Sequence, residues 1–89
     1  MTEKKESTDW FVYILECSDK TLYTGITNNL EKRIEQHNSG QEAAKYTRAR
    51  RPVKCVYQEI HLNRSEATKR EFAIKKLARK EKLKLIKSM

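Results

Sequence analysis

The longest uninterrupted apolar stretch in the chain is Trp10-Phe11-Val12-Tyr13-Ile14-Leu15. It is short, aromatic and β-branched, and it is apolar on both alternating faces, which marks a strand covered on both sides of a sheet. Turn-forming residues follow in Cys17-Ser18-Asp19-Lys20, and strand character resumes from Thr21 to Ile26. Two strands this close in sequence predict an antiparallel hairpin. Gly25 inside the second strand predicts a bulge or a close approach of some other group to the backbone.

Asn28, with Glu31 three residues on, resembles a capping box, and Gly40 supplies a stop for the helix it opens. Within that helix Leu30, Arg33, Ile34 and His37 share one face, so an Arg and a His interrupt the apolar stripe. Residues 41–52 have no apolar period and predict an exposed loop closed by Pro52. Val53 to Ile60 predict a third strand, with Val53, Cys55 and Tyr57 on one side and Lys54, Val56, Gln58 and Ile60 on the other. Asn63 and Glu66 repeat the cap pattern and open a second helix. On its wheel Ala67, Glu71, Ile74 and Ala78 fall within about 60° of one another, with Glu71 in mid-stripe. Arg79 to Met89 predict a short basic helix with Leu83 and Ile86 free to dock. The order β-β-α-β-α-α describes an α+β fold, a three-stranded antiparallel sheet flanked by three helices. Residues 1–9 read as a disordered polar tail and residues 10–89 as one domain.

Composition narrows the function classes. At 89 residues there is room for one domain, and no apolar run approaches the roughly 20 residues of a membrane helix, so no membrane partner is expected. The first residues carry no secretory pattern, and Cys17 and Cys55 form no CxxC pair. A cytoplasmic chain with reduced thiols follows, and with His37 and His61 they lack zinc-ligand spacing. The net charge of +8 is uneven: residues 41–54 carry +4 and residues 66–89 carry +6, while residues 1–40 are close to neutral. Clustered cations of this kind suit a polyanion partner, although a lysine-rich solvated helix face accounts for the last segment nearly as well.

Three inward polar residues, Arg33, His37 and Glu71, call for an explanation, and the strand tyrosines Tyr13 and Tyr23 can reach the same face of the sheet. Taken singly, such residues are ordinarily a satisfied core histidine, a structural ion pair and core phenols. Together they contain what phosphodiester hydrolysis requires. Glu71 is a hard oxygen ligand for a single Mg²⁺ or Mn²⁺ ion. Arg33 offers a planar, permanently charged fork to a phosphorane-like transition state. His37 or a tyrosine could take the proton of an attacking water. The segment holding Lys45, Tyr46, Arg48, Arg50 and Arg51 interleaves cations with an aromatic, as a nucleic-acid contact does.

With these residues in place the chain resembles the GIY-YIG nuclease domains, in particular the small stand-alone bacterial YhbQ-like family. Phe11-Val12-Tyr13 matches the first motif and Tyr23-Thr24-Gly25 the second; Arg33 and His37 match the Arg and the His or Tyr that follows it, and Glu71 the metal-binding Glu. Phe11 stands for the first Gly and Thr24 for the middle Ile. The Asn that many family nucleases carry beyond the Glu has no counterpart among Leu83, Lys84, Leu85 and Ile86. The resemblance implies a metal-dependent endonuclease acting on DNA, ahead of RNA, at branched, flapped or damaged structures in repair or recombination. Family members of this size lack the separate DNA-targeting domain or partner that larger relatives use; a monomer is expected, with an unidentified protein as the candidate partner for targeting. The competing expectation is a binding module on the same scaffold, without turnover.

Overall fold

The computed structural model describes residues 9–40 and 44–88; the polar tail over 1–8, residues 41–43 of the expected loop and Met89 lie outside the described residues. The elements run β1 (Trp10–Glu16), β2 (Leu22–Thr27), α1 (Leu30–Ser39), α2 (Lys45–Arg48), β3 (Lys54–His61), α3 (Arg64–Lys75) and α4 (Arg79–Lys87). The sheet is antiparallel throughout, with strand order β2-β1-β3. β1 is central, which is why its run is apolar on both faces. Val12 and Ile14 pack on one side with Tyr57, Ala67 and Ile74, under Leu85 and Ile86 of α4. Tyr13 and Leu15 pack on the other side with Cys17 and Val53, beneath Leu30 and Ile34 of α1. This is the expected α+β architecture, with one helix more than the pattern predicts.

That additional helix, α2, lies where a loop was expected. Four residues are too few to show a period, and the turn is held by distant groups: Ser18 N donates to Arg50 O at 3.0 Å, and Arg50 Nε donates to Asp19 Oδ2 at 3.0 Å. The hairpin turn between β1 and β2 is thereby tied to α2. Lys20 in that turn has φ 72°, a left-handed conformation that Gly would adopt at less cost.

Three further expectations are corrected. Ile14 pairs with Tyr57 but Leu15 with Cys55, so Val56 is an extra residue, a β-bulge. Val53 and Cys55 stay on the α1 side as predicted, whereas Tyr57 turns with Val56 to the α3 side. The cap of α1 is Asn29, whose Oδ1 accepts from Lys32 N at 3.2 Å, and not Asn28; Asn63 caps α3 as expected, accepting from Glu66 N at 2.9 Å. Finally, α3 ends at Lys75, and Ala78 becomes the N-cap of α4. The break resets the helical phase, so Leu85 and Ile86 dock while Leu83 remains 38% exposed.

Candidate active site

The site begins with a missing side chain. Tyr13 faces Gly25 across β1 and β2, and a Cβ on that glycine would lie 2.5 Å from Tyr13 Oη and 2.7 Å from its Cζ. The close approach anticipated at Gly25 is therefore that of the Tyr13 ring, which crosses the edge strand to reach α1. There its hydroxyl meets His37 Nε2 at 2.9 Å, and His37 Nδ1 lies 2.7 Å from Thr47 Oγ1 on α2. Tyr13, His37 and Thr47 are at most 1% exposed.

The network selects the tautomer. Thr47 Oγ1 donates to Ala44 O at 3.1 Å, and the buried phenol proton of Tyr13 requires an acceptor. Both are satisfied when Tyr13 donates to Nε2 and Nδ1–H donates to Thr47. Burial, with the charges of Arg33 and Arg51, lowers His37 to about 4. Burial raises Tyr13 to about 12; a hydrogen bond from Arg33 opposes the rise, and Tyr23 and Glu71 add to it. At neutral pH the pair is thus an uncharged imidazole holding a protonated phenol.

Around this buried line stand the groups that reach solvent. Tyr23, half-buried, sets its ring edge-on to His37 with centroids 5.4 Å apart, and stacks on Tyr46 at 6.1 Å. Arg33, also half-buried, donates from Nη1 to Gln36 Oε1 at 3.1 Å and acts on the Tyr13 hydroxyl. Glu71 comes from α3 with Oε2 3.2 Å from Lys75 Nζ, its side chain 20% exposed. The orientation of α3 is set one residue earlier, where Arg70 Nε donates to Glu59 Oε1 at 2.9 Å. His61 and the Tyr57 hydroxyl meet the same carboxylate. Burial alone would raise the Glu59 carboxyl; the hydrogen bonds from Arg70, Tyr57 and His61 bring it below its usual value.

The segment expected to bind nucleic acid divides by role. Lys45 and Arg48 are exposed on α2. Arg50 lies over the Tyr46 ring, 3.9 Å from its centroid, and bonds Asp19. Arg51 points inward: its Nε donates to His37 O at 2.6 Å and its Nη2 reaches Gln36 O at 3.4 Å and Gly40 O, so it caps the C-terminus of α1. Two positioning residues escaped the sequence reading. Thr47 sat in a segment without periodicity, and only the tertiary fold turns it towards His37. Asn38 pairs like a strand residue with Val53, donating to its O at 2.9 Å and accepting from its N at 2.7 Å, and so fixes the end of α1 to the start of β3. Its place beside the inward His37 was the only signal available.

Comparison with known proteins identifies the family of the domain. The family model of the GIY-YIG catalytic domain matches residues 9–84. The chain is 62% identical over 77 residues to a UPF0213 protein of Syntrophus aciditrophicus, covering 86% of this chain and 88% of that one. Among solved structures, the protein EF2693 from E. faecalis superposes with TM-score 0.62 at 43% identity, covering 99% of this chain and 90% of that chain. The UPF0213 protein BH0048 from Bacillus halodurans gives TM-score 0.57 at 40% identity, with 89% and 83% covered. A buried tyrosine laid over a strand glycine, a histidine beneath it and an inward carboxylate thus occur in a chain that belongs to the GIY-YIG family of nuclease-like domains.

Proposed function

We propose that the protein is a divalent-metal-dependent endonuclease that hydrolyses DNA phosphodiester bonds, reading branched or flapped structures by shape in repair or recombination. The observation that supports this best is the buried Tyr13–His37–Thr47 line. A packing role alone would be met more cheaply by apolar residues, since burying three polar side chains carries a desolvation cost that hydrogen bonding only offsets. As a support it makes sense, because it holds Tyr13 rigidly beside Tyr23 and Arg33.

His37 is fully buried with both nitrogens engaged, so it acts by holding Tyr13. Tyr23, the tyrosine that reaches the cleft, then orients the attacking water and accepts its proton once its own hydroxyl proton has passed to solvent. Arg33 stabilises the charge that develops on the phosphorus oxygens. Among the described residues no three His, Cys, Asp or Glu side chains group together, so a metal at Glu71 would rest on this one carboxylate with water and phosphate oxygens. That donor set suits Mg²⁺ or Mn²⁺, which supplies neutralisation of the phosphate and leaving-group charge. No helix among the described residues is long and apolar enough to cross a membrane.

One observation favours the binding-module reading: Glu71 is already ion-paired with Lys75. The test is incubation of labelled single-stranded, duplex, flap and Holliday-type DNA with Mg²⁺, Mn²⁺ or EDTA, using the parent and Glu71→Gln. Cleavage that EDTA stops and Glu71→Gln abolishes, at unchanged binding and melting temperature, is the expected result. A stable, active Glu71→Gln would remove the metal assignment, and an inert parent would leave the binding module.

A further inference from the structure

Helix α4 lays Leu85 and Ile86 on the sheet, and three residues before Leu85, on the same inward stripe, stands Lys82. It is half-buried, and among the described residues its ammonium has no ion pair or hydrogen bond, the backbone N–H alone being engaged, with Ala78 O at 3.1 Å. A lysine in this position carries a desolvated stem and an unmatched charge, which is costly unless an anion completes it. Lys82 lines a cleft of about 280 Å³ that also holds Leu22, Tyr23 and Thr24 of β2, Tyr46 of α2 and Lys75 of α3. β2 is an edge strand, so this cleft wraps the open side of the sheet. One wall is lined by Lys75 and Lys82 and the other by the Tyr46 ring with Arg50 upon it. Lys75 is matched by Glu71 at 3.2 Å, so Lys82 is the wall's uncompensated charge.

We infer that this cleft is a phosphate subsite, in which Lys82 holds the backbone of a single nucleic-acid strand next to the position that Tyr23 faces. The proposal rests on the nuclease reading for the identity of the strand. The cleft is too small for a duplex, and its two lysines suit one phosphate with its attached sugar. The other cations of α4 are placed differently: Arg79, Lys80, Lys84 and Lys87 line a separate groove around Leu83.

The test is binding of a fluorescein-labelled single-stranded oligonucleotide in EDTA, followed by anisotropy across a KCl series, for the parent, Lys82→Met, Lys82→Arg and Lys80→Met. Working without divalent ions keeps this result separate from the nuclease reading, which the parent's cleavage in Mg²⁺ decides. Lys82→Met should weaken binding about tenfold and reduce the slope of log K against log salt by about 0.7, the loss of one single-strand phosphate contact. Its melting temperature should be unchanged or higher, since the stem is kept and the unmatched charge removed. Lys82→Arg should bind like the parent, and Lys80→Met should change binding much less than Lys82→Met. Parent-like affinity in Lys82→Met would overturn the subsite, leaving Lys82 a packing residue. Equal losses in Lys80→Met and Lys82→Met would also overturn it, because the effect would then be one of net charge.

Discussion

At Gly25 the strand carries no side chain because the Tyr13 ring occupies the space. Gly25→Ala would place a methyl 2.5 Å from the Tyr13 hydroxyl, so the ring must move and release His37. The expected cost is about 1–3 kcal/mol, the usual scale of overpacking. Chemical denaturation of Gly25→Ala in the parent and in a Tyr13→Ala background checks this: the penalty should largely vanish once the ring is gone. His37 supplies a pH signature. Its folded pKa of about 4 lies below its unfolded value near 6.5, so between these the unfolded chain binds the extra proton. Stability is therefore full above about pH 6.5 and declines as pH falls towards 4, by on the order of 2 kcal/mol after allowance for solvent screening. In His37→Phe this slope should shrink to the part that the paired carboxylates contribute, while stability at neutral pH drops, since Tyr13 and Thr47 lose their partner. Denaturation series at pH 7 and pH 4.5 on both proteins compare the two, and equal pH slopes would contradict the buried neutral imidazole.

Among the elements, α1 is held at three points: its cap at Asn29, the Asn38 pairing with Val53, and the Arg51 guanidinium on its last carbonyls. Arg51 belongs to the cationic run expected to contact nucleic acid, and its geometry gives it a different task. Arg51→Ala should lower stability by about 1–2 kcal/mol, the scale of charge-assisted bonds to buried carbonyls, and leave the salt dependence of DNA binding unchanged. Thermal melts and salt titrations on the one variant separate the two roles. A parent-like melting temperature with a flattened salt slope would return Arg51 to the binding surface.

Seen whole, the molecule is a sheet with a core on each face, and the candidate site gathers at its open β2 side. α1 and α2 bring Arg33, His37 and Tyr46 from one face, while α3 and α4 bring Glu71, Lys75 and Lys82 from the other. Its charge of +8 is carried mainly by these helices and the segment before β3, so a polyanion meets cations on both sides of the cleft. Lys45→Ala with Arg48→Ala removes two exposed cations from α2. Their joint loss should reduce the salt slope by about one to two units on duplex DNA. An unchanged slope in a salt titration would place the contact on α3 and α4 instead.

What the sequence determined by itself follows from periodicity and local chemistry. The double-sided apolar run made β1 central, Asn63 opened α3, and the inward phase of Arg33, His37 and Glu71 singled them out before any contact was known. These depend on neighbours within a few residues, so a linear reading captures them. Other features depend on groups far apart in the chain. The bulge at Val56 that turns Tyr57 to the α3 side arises from pairing with β1 some 40 residues earlier, and the segment that follows α2 is fixed by Asp19 and Ser18, which hold Arg50. Thr47 beneath His37, Arg51 on the end of α1 and Lys82 in the cleft have no mark in the local pattern. Their roles exist only once packing removes water and leaves each polar group to find whichever partner the fold brings within reach.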